Sequence, residues 1–294
     1  MRTFMNGSVA ISLGLLTAIL ASSPAGATPF FFSTGNPDGL MASASRPDSG
    51  GQFEIESADD FVLSSATSLT NATFTGLIPS GSSVQDVVVE IYRVFPNDSD
   101  VGRTSGPPLF STTQVPTRVN SPSDVAFVSF DSAAGDLNFT TNELSNSFTA
   151  NNSVQPGGIV PKPNQTTLGN GPVTGTEVQF DVAFTVPFLL PADHYFFVPQ
   201  VELDSGDFLW LSAPRPIVAP GTPFPAGFTD LQSWTRDANL DPDWLRIGTD
   251  IVGGTTFNAA FSVTGQIPEP STLVVALTGL ALLGWVTHRR LLNS

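Results

Sequence analysis

No cysteine occurs among the 294 residues, so the chain has no disulfide framework, no thiolate metal site and no cysteine nucleophile. Lysine is nearly absent, with Lys162 alone, and histidine is limited to His194 and His288. A zinc centre needs several His or Cys ligands, which this composition does not supply. Basic residues are also scarce: 11 stand against 26 acidic ones, for a formal net charge of −15. Such a surface repels phosphate backbones, which argues against nucleic acid as a partner and leaves divalent cations and neutral sugars open. Sustained helical periodicity is missing between the two ends, and long apolar runs occur only at the ends themselves.

What is present between the ends reads as strands and turns. Residues 84–95 (VQDVVVEIYRVF) are β-branched and nearly continuous, as in a strand buried on both faces. Val178, Phe180, Val182, Phe184 and Val186 alternate with polar or small residues, the period of a strand with one wet face. Phe257, Ala259, Phe261 and Val263 repeat that pattern. Further strands are expected over 67–77, 125–131, 137–148, 195–203, 208–212 and 245–251. Three stretches dense in Pro, Gly, Asn and Thr, 104–123, 151–176 and 213–227, are expected as long loops capping one end. With 23 phenylalanines and only two tyrosines, a dry core between two sheets is the natural arrangement. The expected fold is all-β, a single antiparallel, jelly-roll-like β-sandwich over residues 28–266.

Several groups bear on chemistry. A Ser-His-Asp triad in the body would have to use His194, yet no nucleophile-elbow sequence is visible, and Asp193-His194 is expected to form a turn before a strand. Glycoside hydrolysis needs two acids at a set separation, for which Glu54 with Glu56 and Asp59 with Asp60 are the densest pairs. Asp59-Asp60-Phe61 reads more simply as a turn or an edge-strand start with Phe61 in the core. Asp237, Asn239, Asp241 and Asp243 place oxygen ligands at every second position, a pattern able to converge on calcium. Pro242 stands where an EF-hand has its bend glycine and Gly248 where it has its closing glutamate, so a self-bonded Asx turn is the competing reading. Trp234 and Trp244 flank that turn and could stack on sugar as a carbohydrate platform, whereas Trp210 in Phe-Leu-Trp-Leu reads as core.

Both ends read as processing segments. Arg2, the apolar stretch 9–21 and Ala25-Gly26-Ala27 make residues 1–27 a secretory signal peptide, with Thr28 the first mature residue. At the other end Pro268-Glu269-Pro270 is followed by an uncharged apolar run, 271–286, and then by His288-Arg289-Arg290. As a helix that run covers roughly 24 Å, and a transmembrane helix is expected over 271–287. Trp285 suits the interface and the arginines the cytoplasmic side. The order of these three parts resembles the PEP-CTERM sorting signal of exopolysaccharide-producing Gram-negative bacteria, over 267–294. The resemblance implies recognition by exosortase, a membrane-embedded cysteine enzyme, with Pro268, Glu269, Pro270, Arg289 and Arg290 as the sorting residues. It further implies transient anchoring in the inner membrane, then release to the cell surface or exopolysaccharide matrix, with no catalysis expected. The alternative reading is a carbohydrate-binding module, with or without calcium.

Overall fold

The computed structural model describes residues 27–99, 114–159, 166–214, 232–254 and 256–269. The expected signal peptide through Gly26, the expected membrane helix, Pro270, Arg289 and Arg290 lie outside the described residues. Strands, numbered in chain order, form two sheets. The nine-stranded sheet holds β1 (Thr28–Ser33), β2 (Met41–Ala44), β4 (Thr67–Ile78), β7 (Leu137–Ala150), β8 (Asn152–Val154), β9 (Val173–Leu190), β11 (Leu209–Ala213), β14 (Asn258–Ala259) and β15 (Phe261–Ile267). The six-stranded sheet comprises β3 (Ile55–Val62), β5 (Val84–Arg93), β6 (Val128–Asp131), β10 (His194–Leu203), β12 (Trp234–Asp237) and β13 (Leu245–Arg246), in the order β13-β12-β3-β10-β5-β6. Among the described residues helix is confined to a 3-10 turn, Pro156–Gly158, and a π-helical turn, Ile247–Val252, and none is long and apolar enough to cross a membrane.

β4 is the axis of the larger sheet. It pairs with β9 from Thr67↔Leu190 to Ile78↔Thr176, and on its other side with β15 and then β11. Residues 178, 180, 182 and 184 of β9 are buried as the alternation predicts, but Val186 is 70% exposed. The reason is a register shift: Leu69 faces Phe188 while Asn71 faces Ala183, so the intervening β9 residues bulge out of the ladder. The sheet is mixed rather than antiparallel throughout, because β2 and β8 pair in parallel, Met41 beside Asn152. Those two strands are far apart in the chain, so no hairpin forces opposite directions on them.

The two sheets share one aromatic core. Phe74 of β4 stacks on Phe180 of β9 with ring centroids 4.7 Å apart and meets Phe208 edge-on at 5.7 Å. From the other sheet, Phe197 stacks on Phe261 at 5.1 Å. Trp210 is buried in the same core and donates its indole N–H to the Ala260 carbonyl. Gly76 lies where this packing is tightest: a Cβ there would sit 2.2 Å from the Phe208 ring and 2.7 Å from the Leu209 carbonyl oxygen. The carbonyl belongs to a paired strand and cannot swing aside. Gly76→Ala should therefore lower stability by about 1–3 kcal/mol; a urea midpoint equal to that of the parent protein would refute this close approach.

Three expectations are corrected. β5 is not buried on both faces: Val87, Val89 and Ile91 enter the core, while Val88 and Glu90 on the opposite face are half-exposed. The strand expected over 245–251 stops at Arg246, because the Asp250 carboxylate accepts the Arg246 N–H at 2.8 Å and pairs with its guanidinium at 2.8 Å. Gly253 in the left-handed region (φ 85°) then closes the π turn. The expected loop 151–176 contains β8, the 3-10 turn and the start of β9, and the end of the expected loop 104–123 runs beside β5, with Ser123 N–H donating to the Arg93 carbonyl; just beyond it, Phe127 N–H donates to the carbonyl of Ile91.

Candidate functional site

Strand alternation sends Phe61, Val89, Ile91 and Phe197 of the six-stranded sheet into the shared core, and turns their neighbours to the opposite face. There Glu56 comes from β3, Glu90 and Tyr92 from β5, Gln200 from β10 and Arg236 from β12, with Glu54 just ahead of β3. Arg236 holds the group together. Its Nε donates to Glu56 Oε2, its Nη2 to the Tyr92 hydroxyl at 2.9 Å and its Nη1 to the Asp124 carbonyl at 3.0 Å, while Asp241 pairs with Nη1 at 2.8 Å. The guanidinium lies 4.4 Å from the Trp244 ring centroid. Gln200 donates its amide N–H to Glu54 Oε1 at 3.0 Å. One carboxylate oxygen from each of Glu54, Glu56 and Glu90 falls within 4.8 Å of the others.

Crowded, partly buried carboxylates cannot all be charged at low cost. Burial, then the neighbouring Glu56 and Glu54 carboxylates, push Glu90 up to about 8. Burial, then Glu56, raises Glu54 as well. Burial alone would depress the Arg236 guanidinium, but Glu56 overrides it and holds Arg236 above its ordinary value. The Tyr92 hydroxyl lies 2.6 Å from Glu56 and 3.0 Å from Glu90, and has one proton to give. With the hydroxyl donating to the Glu56 carboxylate, a protonated Glu90 donates its own proton to the phenol oxygen. The folded state thus keeps a proton on Glu90 that the unfolded chain releases near 4.5. Stability should fall as pH rises from about 4.5 to about 8, by at most ~1.4 kcal/mol per pH unit from this group. Glu90→Gln should flatten that slope in denaturant melts run across the window, and an unchanged slope would locate the effect elsewhere.

The structure moves several sequence-proposed residues away from the roles expected of them. Trp234 and Trp244 are 0% exposed and offer no face to a sugar. Trp244 packs under Arg236, edge-on to Tyr92, and donates its N–H to the Ser123 carbonyl. Asp237, Asn239, Asp241 and Asp243 do not converge. Asp237 accepts the N–H groups of Asn239 and Leu240, each at 3.0 Å, whereas Asp241 pairs with Arg236 and Asp243 with Arg118 at 2.6 Å. This is the self-bonded Asx turn, with its remaining carboxylates committed to arginines. Asp59-Asp60-Phe61 is neither a turn nor an edge, since it lies in β3 between β12 and β10, with Phe61 in the core. Asp59 accepts the Ala259 N–H at 2.8 Å and so ties one sheet to the other. Asp60 faces His194 Nε2 at 2.7 Å, and His194 opens β10 rather than standing in the turn before it. Pro268 and Glu269 follow β15 directly.

Comparison with protein families, with curated proteins and with solved structures gives no match. The site therefore stands on its own residues. Sequence reading reached Glu54 and Glu56 but missed Glu90, Tyr92, Gln200 and Arg236. One available signal was Glu90 itself, a single charge inside the apolar run Val87-Val88-Val89-Glu90-Ile91, where a carboxylate needs a partner.

Proposed function

We propose that the chain is an exported, non-catalytic protein of the cell surface or exopolysaccharide matrix, sorted by exosortase through a PEP-CTERM tail. The carrying observation is the ordered triplet of Pro268-Glu269-Pro270, uncharged apolar run and His288-Arg289-Arg290. The boundaries of the folded body support it: β1 begins at Thr28, the residue expected after signal cleavage, and β15 ends at Ile267, immediately before Pro268. Both cuts would spare every described strand. Residues 28–266 would then travel as one β-sandwich, jelly-roll-like in this reading, and the apolar ends would act only during export. The acidic surface keeps such a body soluble among neutral or anionic polymers. In the native host, intact-mass measurement of the surface and medium fractions should find a product starting at Thr28 and lacking everything beyond Pro270. Recovery of a membrane-bound product that still contains Trp285, Arg289 and Arg290 would overturn the proposal.

A further inference from the structure

Three carboxylates, Glu54, Glu56 and Glu90, converge on the outer face of the six-stranded sheet; Glu56 pairs with the Arg236 guanidinium, which also meets Asp241. Negative charge is left in excess. The oxygen spacing is informative: ligands around one calcium at about 2.4 Å can stand no more than ~4.8 Å apart, and the three carboxylate oxygens lie within 4.8 Å of one another. A second observation is independent of the acids. Gln200 is 1% exposed, and its amide is held at the cluster by its bond to Glu54, yet its carbonyl oxygen has no hydrogen-bond partner. A buried amide oxygen without a donor costs stability unless something electropositive meets it. Glu54 and Glu90 are only half-buried, so an ion and its remaining waters can enter from solvent.

We propose that Glu54, Glu56, Glu90 and the Gln200 carbonyl oxygen bind a calcium-sized divalent cation. The donor set is all oxygen, as a hard cation requires, and contains no sulfur or imidazole to favour zinc or copper. Magnesium demands near-ideal octahedral geometry at about 2.0–2.1 Å and gives up its waters reluctantly, so a set of several protein oxygens suits calcium better. Arg236 stays outside the coordination sphere. It fixes the Glu56 carboxylate through Nε, as an outer-shell partner orients a ligand, and Tyr92 does the same through its hydroxyl. A bound cation would link β3, β5 and β10 across the face of the sheet. This inference is independent of the export reading, because it would hold for the same body in any compartment.

The test is calorimetric titration of the full chain in detergent at one fixed pH with calcium chloride, with magnesium chloride as comparison and chelator-treated protein as the start. One calcium per chain is expected, together with a higher melting temperature than in chelator. Glu54→Gln and Gln200→Leu should each weaken calcium by about 10-fold or more, since even outer-shell partners of a metal carry that much. Glu143→Gln, an acid in β7 of the other sheet, should leave the affinity unchanged. If Gln200→Leu does not fold, the parent titration and half-buried Glu54→Gln still decide. No calcium heat from folded parent protein, equal responses to magnesium and calcium, or parent-like affinity in Glu54→Gln would each overturn the site.

Discussion

Arg118→Met should destabilise the protein by about 3–5 kcal/mol, the cost of removing one partner from a buried ion group. Arg118 is 0% exposed, and its guanidinium reaches Asp243 at 2.6 Å and Asp124 at 2.8 Å while lying 4.1 Å from the Phe95 ring centroid. Methionine fills much of the volume but leaves two carboxylates in a dry setting without that cation. Lysine should recover only part of the loss, because a point charge cannot span both acids as the planar fork does. The consequence extends beyond the ion group. Asp124 and Ser123 belong to the segment whose carbonyls receive Arg236 and Trp244, so loosening it exposes the carboxylate cluster as well. Urea unfolding of Arg118→Met measures this directly, and a loss below about 1 kcal/mol would show that the two acids find other neutralisation.

Phe74→Ala should cost a similar amount, about 3–5 kcal/mol, through a different cause. Phe74 is 1% exposed and touches the rings of Phe180, Phe208 and Phe197, the last from the opposite sheet. Removing the ring opens a cavity at the seam between the sheets, and strands paired along their whole length cannot close in to fill it. Phe74→Leu should lose distinctly less, since it keeps most of the apolar volume. Equal midpoints for Phe74→Ala and Phe74→Leu would mean that the seam collapses freely, contrary to the packing described.

Much of the sheet structure was legible from local pattern, and the failures share a cause. β9 announced itself through Val178, Phe180, Val182 and Phe184 because one face is wet and the other dry, which is what alternation records. β3 did not. Asp59 and Asp60 have poor strand propensity, and only the Ala259 N–H and His194, distant in sequence, make them acceptable inside a sheet. The acidic turn misled in the opposite direction: its oxygens suited a cation by spacing, but Arg236, the residue just before the turn, takes Asp241, and Arg118, 125 positions away in the chain, takes Asp243. Trp234 and Trp244 looked available because they flank that turn, whereas Ser123 and the Arg236 side chain hold Trp244 in, and Trp234 lies in β12 between β13 and β3 with the Arg246 guanidinium over its ring.

By itself the sequence determined the strand-rich class, the phenylalanine core, the absence of thiol chemistry and the two apolar ends, because each follows from composition or from periodicity within one segment. Only the tertiary structure decided that one sheet is mixed, that the tryptophans are buried, and that Glu54, Glu56, Glu90 and Gln200 meet. Those four stand on three strands or their margins, separated by up to 146 positions in the chain. Electrostatic fields and hydrogen bonds act through space, so which charges confront one another is set by the order in which strands join a sheet.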